Sequence, residues 1–228
     1  MRKKTRPVRS LIDSRIVPYT VLREPERTPS CELIILHHRS GPRLYYLDEH
    51  PLDRPAAGVL WERVEFNPVD ASGMPTGNPD GAHVHAYRQV MTMQALRCQV
   101  CTEPARTPLG YVYLAGPNSH SPTGSAVLVD QPPVCALHVR VAAEFWPHLA
   151  DSPKAFLAQS APIYGVHGTV YGLSEDTQKV CVVAKPDHAL PLSHRSIPTT
   201  LAARLVRRLI SFRLLSLDEL EHALKTAA

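Results

Sequence analysis

Four residues in two pairs constrain this chain more than any other feature: Cys98 and Cys101, then Cys135 and His138. Each pair has two residues between its members, and 33 residues separate the pairs. A Cys-x-x-Cys turn lets two thiolates converge on one cation. A second pair closes a tetrahedron of three sulfurs and one imidazole, a donor set that suits Zn²⁺. Four protein donors leave no open position for water or substrate, so the spacing predicts a structural metal rather than a catalytic one. Binding of that kind is coupled to folding and stands in for part of a core. The alternative is a set of ordinary reduced cysteines packed in the interior.

The setting of the pairs sharpens the expectation. After Cys101 comes the turn-rich Thr102–Gly110, then Gly110–Ala115, short, aromatic and β-branched like a strand. Residues 117–124 have loop chemistry, and Ser125–Val129 reads as a return strand. Pro132 and Pro133 precede a helical pattern over Val134–Trp146, stopped by Pro147. Cys135 and His138, three apart, share one face of its first turn, where the helix N-terminus favours a thiolate.

This order of knuckle, hairpin and helix resembles a treble-clef zinc motif over residues 96–149, with His138 replacing the commoner second Cys. Arg97-Cys-Gln-Val-Cys101 with Pro132-Pro-Val-Cys135 is also similar to a group of uncharacterised actinobacterial proteins that carry CQVC and PPVC elements. Treble-clef folds include the HNH nucleases, and that resemblance implies a general-base His on the hairpin and an Asn nearby. The loop offers Asn118 and His120, but the Asp-His pair expected at the strand is absent.

At 228 residues the chain has length for one large domain or two small ones, and a 44% hydrophobic fraction is that of a globular protein. The sequence holds 22 prolines against 6% aromatics, which predicts stiff connections between modest elements. No apolar run reaches the roughly 18 residues needed to span a bilayer. The charged start has no apolar stretch behind it, unlike a secretory signal. Cys31 and Cys181, outside the proposed metal site, adjoin apolar β-rich runs and are expected to be buried thiols. Without a disulfide framework or a signal, the expected compartment is the cytoplasm.

The net charge of +4 conceals two basic patches. Arg2, Lys3, Lys4, Arg6 and Arg9 precede the first acidic residue, Asp13, and Arg195, Arg204, Arg207, Arg208 and Arg213 lie between Asp187 and Asp218. Setting those ten aside leaves 15 basic residues against 21 acidic ones. Such localisation predicts a polyanionic partner, nucleic acid or an acidic protein, engaged through Arg2, Lys3, Lys4, Arg6, Arg204, Arg207 and Arg208. A solvated tail and a solvated helix face are the bland alternative.

The chain divides into a flexible basic arm (1–14), a strand-rich segment (15–82), a helix plus zinc unit (83–149), and a β-hairpin with C-terminal helices (150–228). Within these, Ala86–Leu96 is expected as a helix, and Ile163–Tyr171 with Gln178–Ala184 as paired strands. Thr199–Leu215 reads as a helix, with Leu201, Leu205 and Leu209 on one face and Arg204, Arg207 and Arg208 on the other. Ser216 and Glu219 form a capping box for a short last helix, too acidic to act as a recognition helix.

The fold class expected is therefore α+β: a strand-rich N-terminal half, a treble-clef-like zinc unit and a helical C-terminus. The function expected is a zinc-stabilised cytoplasmic binding or regulatory protein. The alternatives are an enzyme (an HNH-like nuclease or another hydrolase with His83, His85 or His120 in a pocket) and a protein–protein assembly factor. His37-His38 would point apart on a strand, and His148 would follow the zinc helix as a metal-supporting group or a terminal cation.

Overall fold

A computed structural model describes residues 16–116, 127–149 and 152–227. In chain order the first strands are β1 (Val21–Arg23), β2 (Leu33–His38), β3 (Gly41–Tyr46), β4 (Leu60–Trp61) and β5 (Pro79–Val84). Helix α1 (Ala86–Ala95) is followed by β6 (Arg106–Thr107), β7 (Gly110–Ala115), β8 (Val127–Val129) and α2 (Val139–Phe145). The rest comprises β9 (Lys154–Ser160), β10 (Ile163–Leu173), β11 (Val180–Ala184), β12 (Leu190–Pro191), β13 (Thr200–Ser216) and α3 (Leu217–Thr226).

β13 organises a nine-stranded sheet. Along one edge it pairs antiparallel with β10 and then β9, from Thr200 opposite Val170 to Ser216 opposite Lys154. Pro162, between β9 and β10, has no N–H to give, but its carbonyl accepts from Arg208 N at 3.0 Å, so the ladder continues past it. β7 and then β6 extend the sheet beyond β9, while β11 and β12 pair with β10. β12 crosses so closely that a Cβ on Gly165 would lie 1.9 Å from Leu190 O, which leaves room for glycine alone.

The other edge of β13 holds β4, parallel, at Leu201–Ala202 and β8, antiparallel, at Arg207–Leu209. The gap between them is closed by a side chain. Gln89 of α1 accepts from Leu205 N at 3.0 Å and donates to Leu205 O at 2.9 Å, as a neighbouring strand would.

Alternation along β7 and β9 divides the core between two faces. Val112, Leu114, Ala155 and Leu157 pack with Val139 and Ala142 of α2, with Trp146 just after it, and with Leu217, Leu220 and Leu224 of α3. Tyr113, Ala115, Phe156 and Ala158 pack with Ala86, Val90 and Met93 of α1, and with Trp61, Leu205 and Leu209. The hairpin β2–β3 closes a third cluster over Leu60 and Leu201.

Three expectations are corrected. Thr199–Leu215 is not a helix but almost the whole of β13. Leu201, Leu205 and Leu209, four apart, satisfy a strand's period of two as well as a helix's 3.6, so that spacing could not discriminate. Backbone pairing on both edges then decides for strand. As a result Arg204, Arg207 and Arg208 do not form one face: Arg207 is buried and faces inward with Leu205 and Leu209, while Arg204 and Arg208 are exposed.

The second correction concerns the zinc hairpin. Val127–Val129 does not return along Gly110–Ala115 but joins β13, and the hairpin that follows the knuckle is β6–β7. Third, the C-terminus is helical only over α3, where the Ser216–Glu219 capping box forms as expected. Elsewhere α1, β7 and the β10–β11 hairpin stand close to their expected places. Gly58–Phe66 supplies only the two-residue β4, and the segment between it and α1 ends in β5. Among the described residues, no helix is long and apolar enough to cross a membrane.

Candidate metal centre

Helix α1 delivers the first ligand pair. His85 caps its start and Leu96 ends it in the left-handed conformation (φ 53°), which turns the chain directly into the knuckle. There Cys98 N donates to Glu103 O at 2.8 Å and Thr102 N to Cys98 O at 2.9 Å, with Thr102 at φ 62°. These bonds curl Cys98–Cys101 so that both thiols face one point.

The second pair arrives through Pro132-Pro133-Val134-Cys135. Val134 N donates to Val112 O at 2.9 Å, pinning this segment to β7. Cys135 is the N-cap of a 3₁₀ turn, Ala136–His138, that continues into α2. His138 N donates to Cys135 O at 3.0 Å, so both ligands sit on one side of the turn.

The two halves are stitched by Gln99, the residue between the first two ligands. It is fully buried. Its backbone N–H reaches Pro133 O (2.9 Å), its side-chain amide donates to Pro132 O (2.8 Å), and its side-chain oxygen accepts from Trp146 Nε1 (2.9 Å). The sequence reading passed over this residue and Trp146. The only hint was a glutamine inside a Cys-x-x-Cys where an exposed residue would have served.

The ligand atoms of Cys98, Cys101, Cys135 and His138 all lie within 4.8 Å of one another. Cys135 Sγ is 3.9 Å from Cys101 Sγ and 3.2 Å from His138 Nδ1. Zn–S bonds of about 2.3 Å in a tetrahedron put sulfurs about 3.8 Å apart, so the donor spacing fits a single Zn²⁺. Among the described residues no other group of three or more His, Cys, Asp or Glu side chains converges in this way.

The electrostatics point to the same need for a cation. A hydrogen bond from the Cys135 thiol, with backbone N–H groups, outweighs burial and brings Cys98 down to about 5. Cys135 is pushed up by donating that bond, by burial and by the charge on Cys98, and Cys101 is raised mainly by burial. One thiolate is thus held at the expense of the other two. A divalent ion is what lets all three ionise together.

The other predicted site residues are dispersed. Arg204 pairs with Asp130 at 2.8 Å. Arg207 donates to Met93 O (2.8 Å), Gln94 O (2.9 Å) and Ala161 O, so it caps the C-terminal carbonyls of α1 instead of meeting a partner. Arg208 stays exposed, opposite Leu128. His83 is exposed near Asp80, while His85 is buried, its Nδ1 accepting from Arg88 N and its Nε2 lying 3.3 Å from Glu65 O. His37 and His38 are both exposed. Cys31 and Cys181 are half-buried and free. Arg2, Lys3, Lys4, Arg6, Arg9, Asn118, His120 and the side chain of His148 lie outside the described residues.

No family model, curated protein or solved structure matches this chain.

Proposed function

We propose that this is a binding protein whose scaffold is clamped by one structural Zn²⁺ in a treble-clef-like unit. The observation that carries this is the convergence of three sulfurs and one imidazole within 4.8 Å. The unit is built as knuckle, short hairpin and helix. With four protein donors the metal is coordinatively complete, so its contribution is to stability and shape. The partner proposed is nucleic acid. The support is the exposure of Arg204 and Arg208, four apart on β13, and the basic run Arg2, Lys3, Lys4 and Arg6 in the sequence. Arg207 has no part in it, since its guanidinium is spent on backbone carbonyls.

Elemental analysis of the wild type and of Cys98→Ser tests the metal. One zinc per chain in the wild type and little in the variant is expected, and no zinc in the wild type would reject the reading. Retention on DNA at two salt concentrations tests the partner. Binding that weakens steeply with salt and is lost in Arg204→Ala with Arg208→Ala is expected, because phosphate contacts release counterions. Binding that survives the double substitution would remove β13 from the interface.

A further inference from the structure

A cavity of about 420 Å³ opens beside the extended segment that follows β4. Leu52, Trp61, Glu62, Val64, Phe66 and Tyr87 are among its walls. That volume lies toward the small end of the roughly 300–1,000 Å³ typical of ligand pockets, so a small molecule suits it better than a large one.

Two properties narrow the chemistry. The first is aromatic. Three rings line the cavity, with Phe66 57% exposed at its rim and set edge-on to Tyr87 at a centroid distance of 5.4 Å. Ring faces carry negative charge density and attract cations.

The second property is charge. Of the charged residues lining the cavity, Arg63 is the one cation, and it is neutralised by Asp53 at 2.7 Å and Asp48 at 2.8 Å. Glu62 and Glu65 remain. The Glu62 carboxylate has no hydrogen bond or ion pair among the described residues, and Arg204, whose charge acts on it, is bound to Asp130. Burial pushes the Glu62 carboxyl up, as befits an anion removed from water without a bonded counter-charge.

We propose that this cavity binds a small organic ammonium ion, held against the rings of Phe66 and Tyr87 with Glu62 as its counter-charge. A neutral apolar guest would cover the walls but leave that carboxylate desolvated and unpaired. A bare metal ion would find walls too apolar to replace its water.

Choline is therefore the probe, with 3,3-dimethyl-1-butanol as the neutral compound of the same shape. Calorimetric titration of the full, zinc-loaded chain, at fixed ionic strength, is expected to show saturable one-to-one uptake of choline. Uptake of the neutral compound should be at least about tenfold weaker. Phe66→Ala and Glu62→Gln, neither of which empties the core, should each weaken choline by about three- to thirtyfold with circular dichroism unchanged. Equal binding of the neutral compound would overturn the assignment of a cation. So would choline binding indifferent to both substitutions, or no saturation at tens of millimolar on folded protein.

Discussion

Two polar clusters, one built on the first turn of helix α1 through Arg88 and one starting just past its end at Cys98, meet the cost of leaving water in opposite ways. Glu26 and Arg88 are 1% and 2% exposed. The Glu26 carboxylate accepts from Arg88 Nη1 and Nη2, both at 2.6 Å, from Arg23 N at 2.8 Å and from Asn67 N at 3.1 Å. Arg88 also donates to Val21 O at 2.7 Å. Here an anion is given its cation and its hydrogen bonds by the chain itself. The Cys98, Cys101, Cys135 and His138 cluster supplies donors for a metal and no positive side chain to balance them. One cluster pairs its charges as folded, with Arg88 Nε and Arg23 Nε left without a bond, and the other is half of a bond.

Chelation tests that distinction with the largest effect. Apparent zinc-binding free energies in small metal modules are on the order of 10 kcal/mol or more, and they are folding free energies. Removing the metal should therefore release amide protection across the knuckle and α2 by hydrogen exchange, and lower the melting temperature. Protection around Glu26 and Arg88 should fall much less. Uniform loss across the sheet would mean that the zinc clamps the whole molecule and that the two clusters are not separable.

Substitution of the internal cluster comes next. Arg88→Met leaves a buried carboxylate without its cation and should cost about 3–5 kcal/mol in denaturant unfolding. Arg88→Met combined with Glu26→Gln removes both charges and keeps an acceptor for one of the two backbone N–H groups, Arg23 N or Asn67 N, so it should recover part of that loss. The pH dependence has a definite sign. Burial alone raises the Glu26 carboxyl, but Arg88 and the two backbone N–H groups outweigh it and the net shift is downward. Its contribution is present above the ordinary Glu value near 4.3 and is lost as the pH falls through the lower folded value.

His85, packed against the same cluster, acts at milder pH. Burial, then the charge of Arg88, push its imidazole down to about 4. The unfolded chain takes up a proton below about 6.5, whereas the folded chain resists until about 4. Stability present above pH 6.5 therefore drains as the pH falls and is gone below the folded value, a loss of about 3 kcal/mol at most. His85→Asn keeps an N-cap acceptor for α1 and should flatten the slope of stability against pH between those limits. A slope unchanged by the substitution would assign it to the metal ligands instead.

These contrasts mark what the sequence could disclose. The four residues of the candidate metal site were legible as a group because their chemistry depends on residue type and local spacing. The capping box at Ser216 and Glu219 and the helix at Ala86 were legible for the same reason, being local. β13 was not, because its leucines fit two periods and its identity is fixed by β10, β9, β4 and β8, none adjacent to it in the chain. Arg207 was expected on a basic, partner-facing surface and nothing in the sequence marked Gln89, yet both are buried against backbone atoms more than 100 residues away in sequence. No periodicity carries that information.

Gln99 gives the smallest and most discriminating test, because it is where the two modes meet: a self-satisfied polar group that positions the unsatisfied ones. Gln99→Ala removes the side-chain bonds to Pro132 O and Trp146 Nε1 without touching a ligand. Leaving those buried groups short of a partner should cost about 1–3 kcal/mol in the zinc-loaded protein. Because the same bonds hold the Cys135 segment against the Cys98 segment, zinc affinity in a competition titration should fall by about 10–100-fold, as for other groups that orient metal ligands. Gln99→Glu keeps the acceptor for Trp146 but sets an anion against Pro132 O and beside three thiolates, so it should weaken zinc at least as much. An alanine variant that loses stability but not affinity would show that the knuckle and the Pro-Pro segment find each other through the metal alone. The internal stitching would then be a consequence of zinc binding and not its preparation.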